Sequence, residues 1–363
     1  MTSPAPDALL ADLRTLVECE SPSSDPEALA RSADLVARLG TAHLGVEPER
    51  LGVHLRWRLG GPTRVLVLAH HDTVWPIGTL RTHPFEISDG VLRGPGSFDM
   101  KTGLAMALHV LGSLDDRTGV TLLVNGDEEI GSPSSRKLIE DEARGADAAL
   151  VLEASADGGA LKLERKGTSI YRVLVKGRAA HAGLEPEKGV NASVELAHQV
   201  LAVAGLGDPA LGTTVTPTVA TSGTTGNTVP AEASFAVDVR ARTVAEQERV
   251  DSAMRALVPV LPDAVLEIEG GINRPPLEGA LSAALFARAS RIAAENGLPP
   301  LTGVAVGGAS DGNFAAGVGT PTLDGLGAVG GGAHAADEHV LTDHLQDRAT
   351  LLRALITDLT TIR

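Results

Sequence analysis

The chain has 363 residues, of which 43% are hydrophobic and only 2% aromatic, and its formal net charge is −15. That length allows one large core or two domains, and the negative charge argues against a nucleic-acid or anionic-membrane partner. No apolar run is long enough to span a membrane, and the N-terminus lacks the pattern of a secretory signal. With a single cysteine, Cys19, we expect a cytoplasmic protein without internal disulfides.

The first part of the chain alternates helical and strand patterns. Helices are predicted over Pro6–Cys19 and from Pro26 to about Leu39. Three later apolar runs are uninterrupted, as in strands covered on both faces: RVLVLA (64–69), VTLLVN (120–125) and AALVLE (148–153). A helical pattern separates the first two runs. This order predicts an α/β fold with a mixed, mainly parallel sheet flanked by helices.

A different pattern begins near residue 168. Strand, helix, strand, strand, helix and strand follow one another, which is the ferredoxin-like order. Phe235, Val237 and Val239 alternate with small or polar residues, so this sheet should have one covered face. We therefore predict a main domain of residues 1–167 and 277–363, interrupted by an α+β domain of residues 168–276. Hinges near residues 167 and 275 would let the inserted domain close over a site.

Possible metal ligands follow the predicted strands, at the sheet edge where open α/β folds bind ligands. They are His70, Asp72, Asp99, Glu128, Glu129, Glu153 and His334. Any one of them alone is more often a cap or a surface residue. Two imidazoles with several carboxylates, however, form a donor set suited to divalent cations, with zinc the leading candidate.

Seven motifs carry a family resemblance. In chain order they are HHDTV, GPGSFDMKTG, DEEIGS, LEA, GRAAHAG, GNTVPAEASFAVDVR and GGAHAADEHV. In order and spacing they resemble the dinuclear zinc amidohydrolases, a family that includes glutamate carboxypeptidases, aminoacylases and succinyl-diaminopimelate desuccinylase. The likeness covers nearly the whole chain and is greatest to bacterial glutamate carboxypeptidases of the carboxypeptidase G type.

The resemblance implies a role for each candidate ligand. His70 and Glu153 would bind one zinc, Glu129 and His334 the other, and Asp99 would bridge them. Asp72 would orient the His70 ring through a hydrogen bond. Glu128 would be the general base that takes a proton from the water between the metals. A cis peptide after Asp99 is also implied, and cobalt or manganese could replace zinc.

The resemblance also assigns residues of the inserted domain. His181 would reach the partner subunit's site in a homodimer and stabilise the oxyanion of the tetrahedral intermediate. Asn227 would contact substrate across the same boundary, and Arg274 would bind the substrate's free carboxylate. Arg240 lies on the strand face opposite Phe235, so it could meet a ligand or a partner chain. The alternative for either arginine is an ordinary surface ion pair.

The sequence thus predicts a dizinc enzyme that cleaves the amide of an N-acyl or peptidyl amino acid with a free carboxylate, with glutamate as the first choice. The alternatives are a biosynthetic N-deacylase or dipeptidase of the same fold, or a binding protein without activity. His71 is expected to pack beside the site, because neighbouring strand residues point to opposite faces. His109 is expected to pack between helices, and His43 has no ligand-like context.

Overall fold

The structure is a computed structural model that describes residues 6–361. The chain divides into two compact units. The main unit comprises residues up to Glu164, Leu277–Val306 and the residues from Ser310 onward; the inserted unit comprises Arg165–Pro276 and Gly307–Ala309. The observed inserted unit is therefore slightly larger than residues 168–276. Inside it, Nη1 of Arg165 donates to the carbonyl of Gly308 at 3.1 Å, which ties the short 307–309 segment to this unit.

Nine α-helices lie within residues 6–361. They are α1 (Pro6–Glu18), α2 (Pro26–Leu44), α3 (Thr102–Gly112), α4 (Arg136–Ala143), α5 (Ala192–Ala204), α6 (Val244–Arg255), α7 (Gly279–Glu295), α8 (Gly312–Gly317) and α9 (Leu345–Thr361). No helix in this part of the chain is both long enough and apolar enough to cross a membrane.

The same residues form eighteen strands, several of them very short. They are β1 (Glu49–Leu51), β2 (His54–Arg58), β3 (Val65–His70), β4 (Glu86–Ser88), β5 (Val91–Arg93), β6 (Val120–Asn125), β7 (Ala148–Val151), β8 (Leu161–Arg165), β9 (Gly167–Lys176), β10 (Ala180–His181), β11 (Thr214–Ser222), β12 (Thr228–Val229), β13 (Glu232–Ala241), β14 (Val265–Arg274), β15 (Gly303–Val306), β16 (Thr322–Leu323), β17 (Gly330–Gly331) and β18 (His339–Leu341).

The central sheet of the main unit has the strand order β1-β2-β6-β3-β7-β16. Its β6–β3, β3–β7 and β7–β16 pairs are parallel, whereas β1–β2 and β2–β6 are antiparallel. Side chains alternate between two apolar layers: Val65 and Val67 of β3 face one core, and Leu66 and Leu68 face the other. Burial on both faces explains the uninterrupted apolar runs. The predicted α/β fold with a mainly parallel sheet is confirmed.

Helix α2 extends beyond the predicted end at Leu39. Gly40 lies inside the helix, where a Cβ would lie 2.3 Å from Cζ2 of the buried Trp57, so the glycine permits close packing. The helix ends at Leu44 and is capped by Gly45, whose φ of 70° is left-handed and whose N–H donates to the carbonyl of Thr41.

The inserted unit contains a four-stranded antiparallel sheet with the order β11-β13-β9-β14. This order, with α5 after β9 and α6 after β13, is the ferredoxin-like arrangement. Phe235, Val237 and Val239 are buried against residues of both helices, including Val203 and Met254. The sheet thus has a covered face, as the alternating pattern predicts.

Candidate metal centre

Two groups of potential ligands share one carboxylate in the main unit. In the first, Nε2 of His70 lies 3.5 Å from Oδ1 of Asp99 and 3.5 Å from Oε1 of Glu153. In the second, Nε2 of His334 lies 3.3 Å from Oδ2 of Asp99 and 3.1 Å from Oε2 of Glu129. The two oxygens of Asp99 therefore face different groups, which is the arrangement of a bridging ligand.

Three of the four separations, of 3.3–3.5 Å, are longer than an ordinary N–H···O hydrogen bond and fit metal ligands. Ligands placed tetrahedrally about 2.0–2.2 Å from one zinc ion are about 3.3–3.6 Å from each other. Nε2 of His70 and Oε1 of Glu129 are buried without a hydrogen-bond partner, although buried polar atoms are normally paired. A cation in each group would give both atoms a partner, so the residues present fit two divalent ions.

The charges around these residues also favour a cation. Asp99 and Glu129 lie against the His334 ring and raise its pKa to about 10. Burial alone would lower the pKa of His70, but the nearby carboxylates, including Asp72, raise that pKa well above its ordinary value. Burial would raise the pKa of Asp99, yet His334 and His70 hold it well below the usual range. The carboxylates thus stabilise a proton on each ring, and a metal ion would take its place.

Strand β3 positions His70 at its last residue. Nδ1 of His70 donates to the backbone carbonyl of Asp72 at 3.0 Å, and this bond turns Nε2 towards the other ligands. Oδ1 of the Asp72 carboxylate also lies 3.4 Å from Nδ1, so both the backbone and the side chain of Asp72 face this edge of the ring. Because β3 ends at His70, strand alternation does not extend to Asp72.

The Asp72 carboxylate also accepts hydrogen bonds from the segment that carries the two glutamates. Its Oδ1 accepts the N–H of Glu128 at 3.2 Å, and its Oδ2 accepts the N–H of Glu129 at 3.1 Å. The hydroxyl of Ser23 donates to Oδ2 at 2.6 Å. Asp72 therefore fixes the backbone of the expected base and of a ligand, a contribution that sequence reasoning missed.

Asp127 holds the same segment from the other side. Its Oδ2 accepts the hydroxyl and the N–H of Ser134 at 2.6 and 2.7 Å. Its Oδ1 accepts the hydroxyl of Ser135 at 2.5 Å. These bonds anchor the turn after β6 and place Glu128, which is 7% exposed, beside Glu129.

The segments that carry Asp99 and His334 have unusual backbones. The Asp99–Met100 peptide is cis, and Gly96 has a left-handed φ of 71°. His334 also has a left-handed φ, of 62°, which is uncommon for a residue other than glycine and often marks a functional site. Its side chain is half exposed, so the ligand cluster is open to solvent on this side.

Glu338 is a further residue that the sequence reasoning did not single out. It is buried, and its carboxylate accepts N–H groups from the segment that contains Asp99. It lies within the motif GGAHAADEHV, directly before the short strand β18. An acidic residue four positions after His334 in that motif was a usable signal, but the buried position of the side chain is visible only in the fold.

Two expected substrate residues meet in the inserted unit. His181 in β10 pairs with Thr228 in β12, and the N–H of Ala182 donates to the carbonyl of Asn227 at 3.0 Å. The His181 side chain is exposed, and its Nδ1 accepts the N–H of Gly183 at 3.1 Å. Acceptance at Nδ1 leaves the proton of the neutral ring on Nε2, where it can be donated to an oxyanion.

The two arginines of the inserted unit have different environments. Arg240 forms a two-point ion pair with Asp238, with N–O distances of 2.8 and 2.9 Å, and donates to the hydroxyl of Thr168. Arg240 therefore forms an ion pair of the kind that the sequence analysis gave as the alternative to ligand binding. Arg274 is buried at the end of β14, where its backbone carbonyl accepts a hydrogen bond from Nε2 of Gln247 at 2.9 Å.

Other histidines are held by ordinary hydrogen bonds. The ring of His71 is buried between the hydroxyl of Ser32 and the carbonyl of Val53, at 3.0 and 2.9 Å. Asp12 brings His43 and His109 together: its Oδ2 lies 2.7 Å from Nε2 of each ring. These three could hold a metal by residue type, but 2.7 Å is a hydrogen-bond distance and is too short for two ligands of one zinc ion.

Two relatives are similar to this chain over nearly its whole length. Carboxypeptidase G2 of Pseudomonas sp. (strain RS-16) is 33% identical over 376 residues, which cover 97% of this chain and 89% of the relative. Succinyl-diaminopimelate desuccinylase of Methylorubrum populi (strain ATCC BAA-705 / NCIMB 13946 / BJ001) is 31% identical over 382 residues, which cover 94% of this chain and 96% of the relative. The chain is thus similar over nearly its whole length to hydrolases of amide bonds.

Solved structures share the fold. The M20 family metallo-carboxypeptidase Sso-CP2 from Sulfolobus solfataricus superposes with a TM-score of 0.73 at 18% identity, covering 98% of this chain and 99% of that one. Aminopeptidase PepT from Bacillus cereus ATCC 10987 superposes with a TM-score of 0.72 at 20% identity, covering 98% of this chain and 99% of that one. Residues 66–358 match the family described as Peptidase family M20/M25/M40. The chain therefore belongs to that family, as its motifs predict, and is a metal-dependent hydrolase.

Proposed function

We propose that the protein is a dizinc amidohydrolase that releases an amino acid with a free α-carboxylate, with glutamate as the preferred residue. The observation that carries the proposal is the sharing of Asp99 by two ligand groups. His70 and Glu153 complete one site, and Glu129 and His334 complete the other. Cobalt or manganese could occupy the same donors.

Glu128 is the proposed general base. When bound, the two zinc ions would supply Lewis-acid chemistry that lowers the pKa of the attacking water and polarises the scissile carbonyl. Glu128 would accept the water's proton and return it to the leaving amine. The N–H of Glu128 bonded to Asp72 holds its backbone in place, which supports this role. Glu129 next to it binds metal, so the two adjacent glutamates have different tasks.

The inserted unit is the proposed source of substrate contacts. Arg274 is the candidate for the substrate carboxylate, since a guanidinium can make two parallel bonds to it. Asn227 and His181 lie on neighbouring segments and could act together on the substrate, with His181 donating from Nε2. Arg240 is the weakest candidate, because Asp238 already neutralises it.

A homodimer through the inserted unit would let His181 serve the partner's site. Strand β11 is an edge of its sheet and carries Pro217 and the 72% exposed Val219. Proline is confined to sheet edges because it cannot donate to a ladder. On α5, which packs on β11, Leu201 is 75% exposed. An open edge with apolar neighbours supports association with a second copy.

A panel of N-acyl amino acids tests the substrate assignment. The enzyme should release glutamate, and Arg274→Ala should raise KM for such substrates because the carboxylate loses its partner. Release of only neutral or basic amino acids would refute the choice of glutamate.

A second candidate is a biosynthetic deacylase. The 31% identity to succinyl-diaminopimelate desuccinylase favours it, and the same metal ligands would serve it. N-succinyl-diaminopimelate therefore belongs in the panel. Hydrolysis of that compound in preference to every acyl-glutamate would make the deacylase the correct assignment.

A further inference from the structure

The buried carboxylate of Glu338 is surrounded by N–H donors. It is 4% exposed, and each of its oxygens accepts two hydrogen bonds. Oε1 accepts the backbone N–H groups of Phe98 and Asp99 at 2.9 and 3.1 Å. Oε2 accepts the N–H of Gly96 at 3.0 Å and the indole N–H of Trp75 at 2.6 Å. Hydrogen bonds to a charged acceptor are among the strong ones in proteins.

These donors belong to segments that carry metal ligands. Gly96, Phe98 and Asp99 form the segment that presents the shared carboxylate. Trp75 follows the segment that begins with His70. Glu338 itself lies four residues after His334. One carboxylate thus connects three of the five segments that carry proposed metal ligands.

The bond to Asp99 has a direct geometric consequence. Fixing the N–H of Asp99 and of Phe98 fixes the peptide plane before the Asp99 Cα atom. That plane, together with the Asp99 φ of −117°, sets the direction in which the Asp99 side chain leaves the backbone. An error of that direction would move one carboxylate oxygen towards one ligand group and the other oxygen away from the second.

We propose that Glu338 is a positioning residue that holds the Asp99 carboxylate where it can serve two metal ions. The proposal deepens the proposed function, because it rests on a dinuclear centre bridged by Asp99. Glutamine is a sharp probe: its amide oxygen can accept two of the four bonds, but its NH2 group donates and cannot accept the others.

Hydrogen exchange of the metal-free protein tests the contact without using catalysis. In the wild-type protein the amides of Gly96, Phe98 and Asp99 should exchange slowly, and in Glu338→Gln they should exchange at least about tenfold faster. Asp337→Asn is the matched control, since it removes the same charge from the neighbouring exposed residue. Fast exchange of these amides in the wild-type protein, or no change in Glu338→Gln, overturns the proposal.

Metal binding tests whether the Glu338 contact holds the Asp99 carboxylate in place for the metal ions. Titration with Co²⁺ should show a loss of about 10–100-fold in affinity in Glu338→Gln, whereas Asp337→Asn should bind as the wild-type protein does. The kcat of the loaded variant should fall more than its KM changes, because substrate contacts are untouched. Faster exchange with unchanged Co²⁺ affinity would show that Glu338 is merely structural. If the wild-type protein bound no pair of ions, the dinuclear proposal would fail, while the exchange result would still report the Glu338 contact.

Discussion

Protonation of the buried His71 should make stability depend on pH. Burial lowers its pKa from 6.5 to about 4, and its ring is fully enclosed. Since the Val53 carbonyl can only accept, Nε2 of His71 carries the proton, and Nδ1 accepts from Ser32. Gly126 leaves room for this ring: a Cβ there would lie 2.7 Å from Nε2.

The direction of this pH dependence follows from the number of protons that His71 binds in the folded and unfolded states. Between pH 6.5 and about 4 the unfolded chain binds a proton at His71 and the folded chain does not, so stability falls as pH falls through that window. At about 1.4 kcal/mol for each pH unit, the free energy of unfolding should drop by about 2 kcal/mol between about pH 7.5 and about pH 5. Above pH 6.5 the contribution of His71 is fully present.

Urea unfolding of metal-free wild-type protein and His71→Gln at both pH values measures this effect. Other groups titrate in both proteins, so the informative quantity is the difference between their pH dependences. The wild-type protein should lose about 2 kcal/mol more than the variant. Equal losses in the two proteins would refute a neutral, buried His71.

Three further outcomes are expected. Glu128→Gln should lower kcat by about 10²–10⁴-fold with unchanged metal content, and wild-type activity in that variant would contradict its role as the base. His70→Ala should lose bound metal and activity, whereas His71→Gln should keep both at neutral pH; similar metal content in the two would contradict the ligand assignment. Gly103→Ala should lower the free energy of unfolding by about 1–3 kcal/mol, because the added Cβ would lie 2.0 Å from the carbonyl oxygen of Leu152. Thermal unfolding measures this change, and an unchanged transition would refute that packing.

The ligand positions were predictable because the sheet is regular. The apolar runs located strands β3, β6 and β7, and polar residues directly after such strands must come together at one edge. His70, Glu129 and Glu153 follow this rule. His334 and Asp99 were named with them as candidates, but they lie in irregular segments away from the ends of these three strands, and the motif resemblance assigned their roles.

Contacts that support the ligands were not predictable. Glu338 has a charged side chain, a type that is usually exposed, yet it is buried and accepts N–H groups from the distant segment that contains Asp99. The Asp72 carboxylate lies 3.4 Å from the His70 ring nitrogen, but the bonds that it also accepts from the backbone of Glu128 and Glu129 were not predicted. Such partners depend on long-range packing rather than on local periodicity.

The central claim is that Asp99 is shared by two metal ions. Crystals of the zinc-loaded protein, measured at the zinc absorption edge, test it directly through the anomalous difference map. The account predicts two peaks per chain about 3.5–4 Å apart, one beside His70 and Glu153 and the other beside Glu129 and His334. A single peak, or two peaks that do not share Asp99, would contradict it.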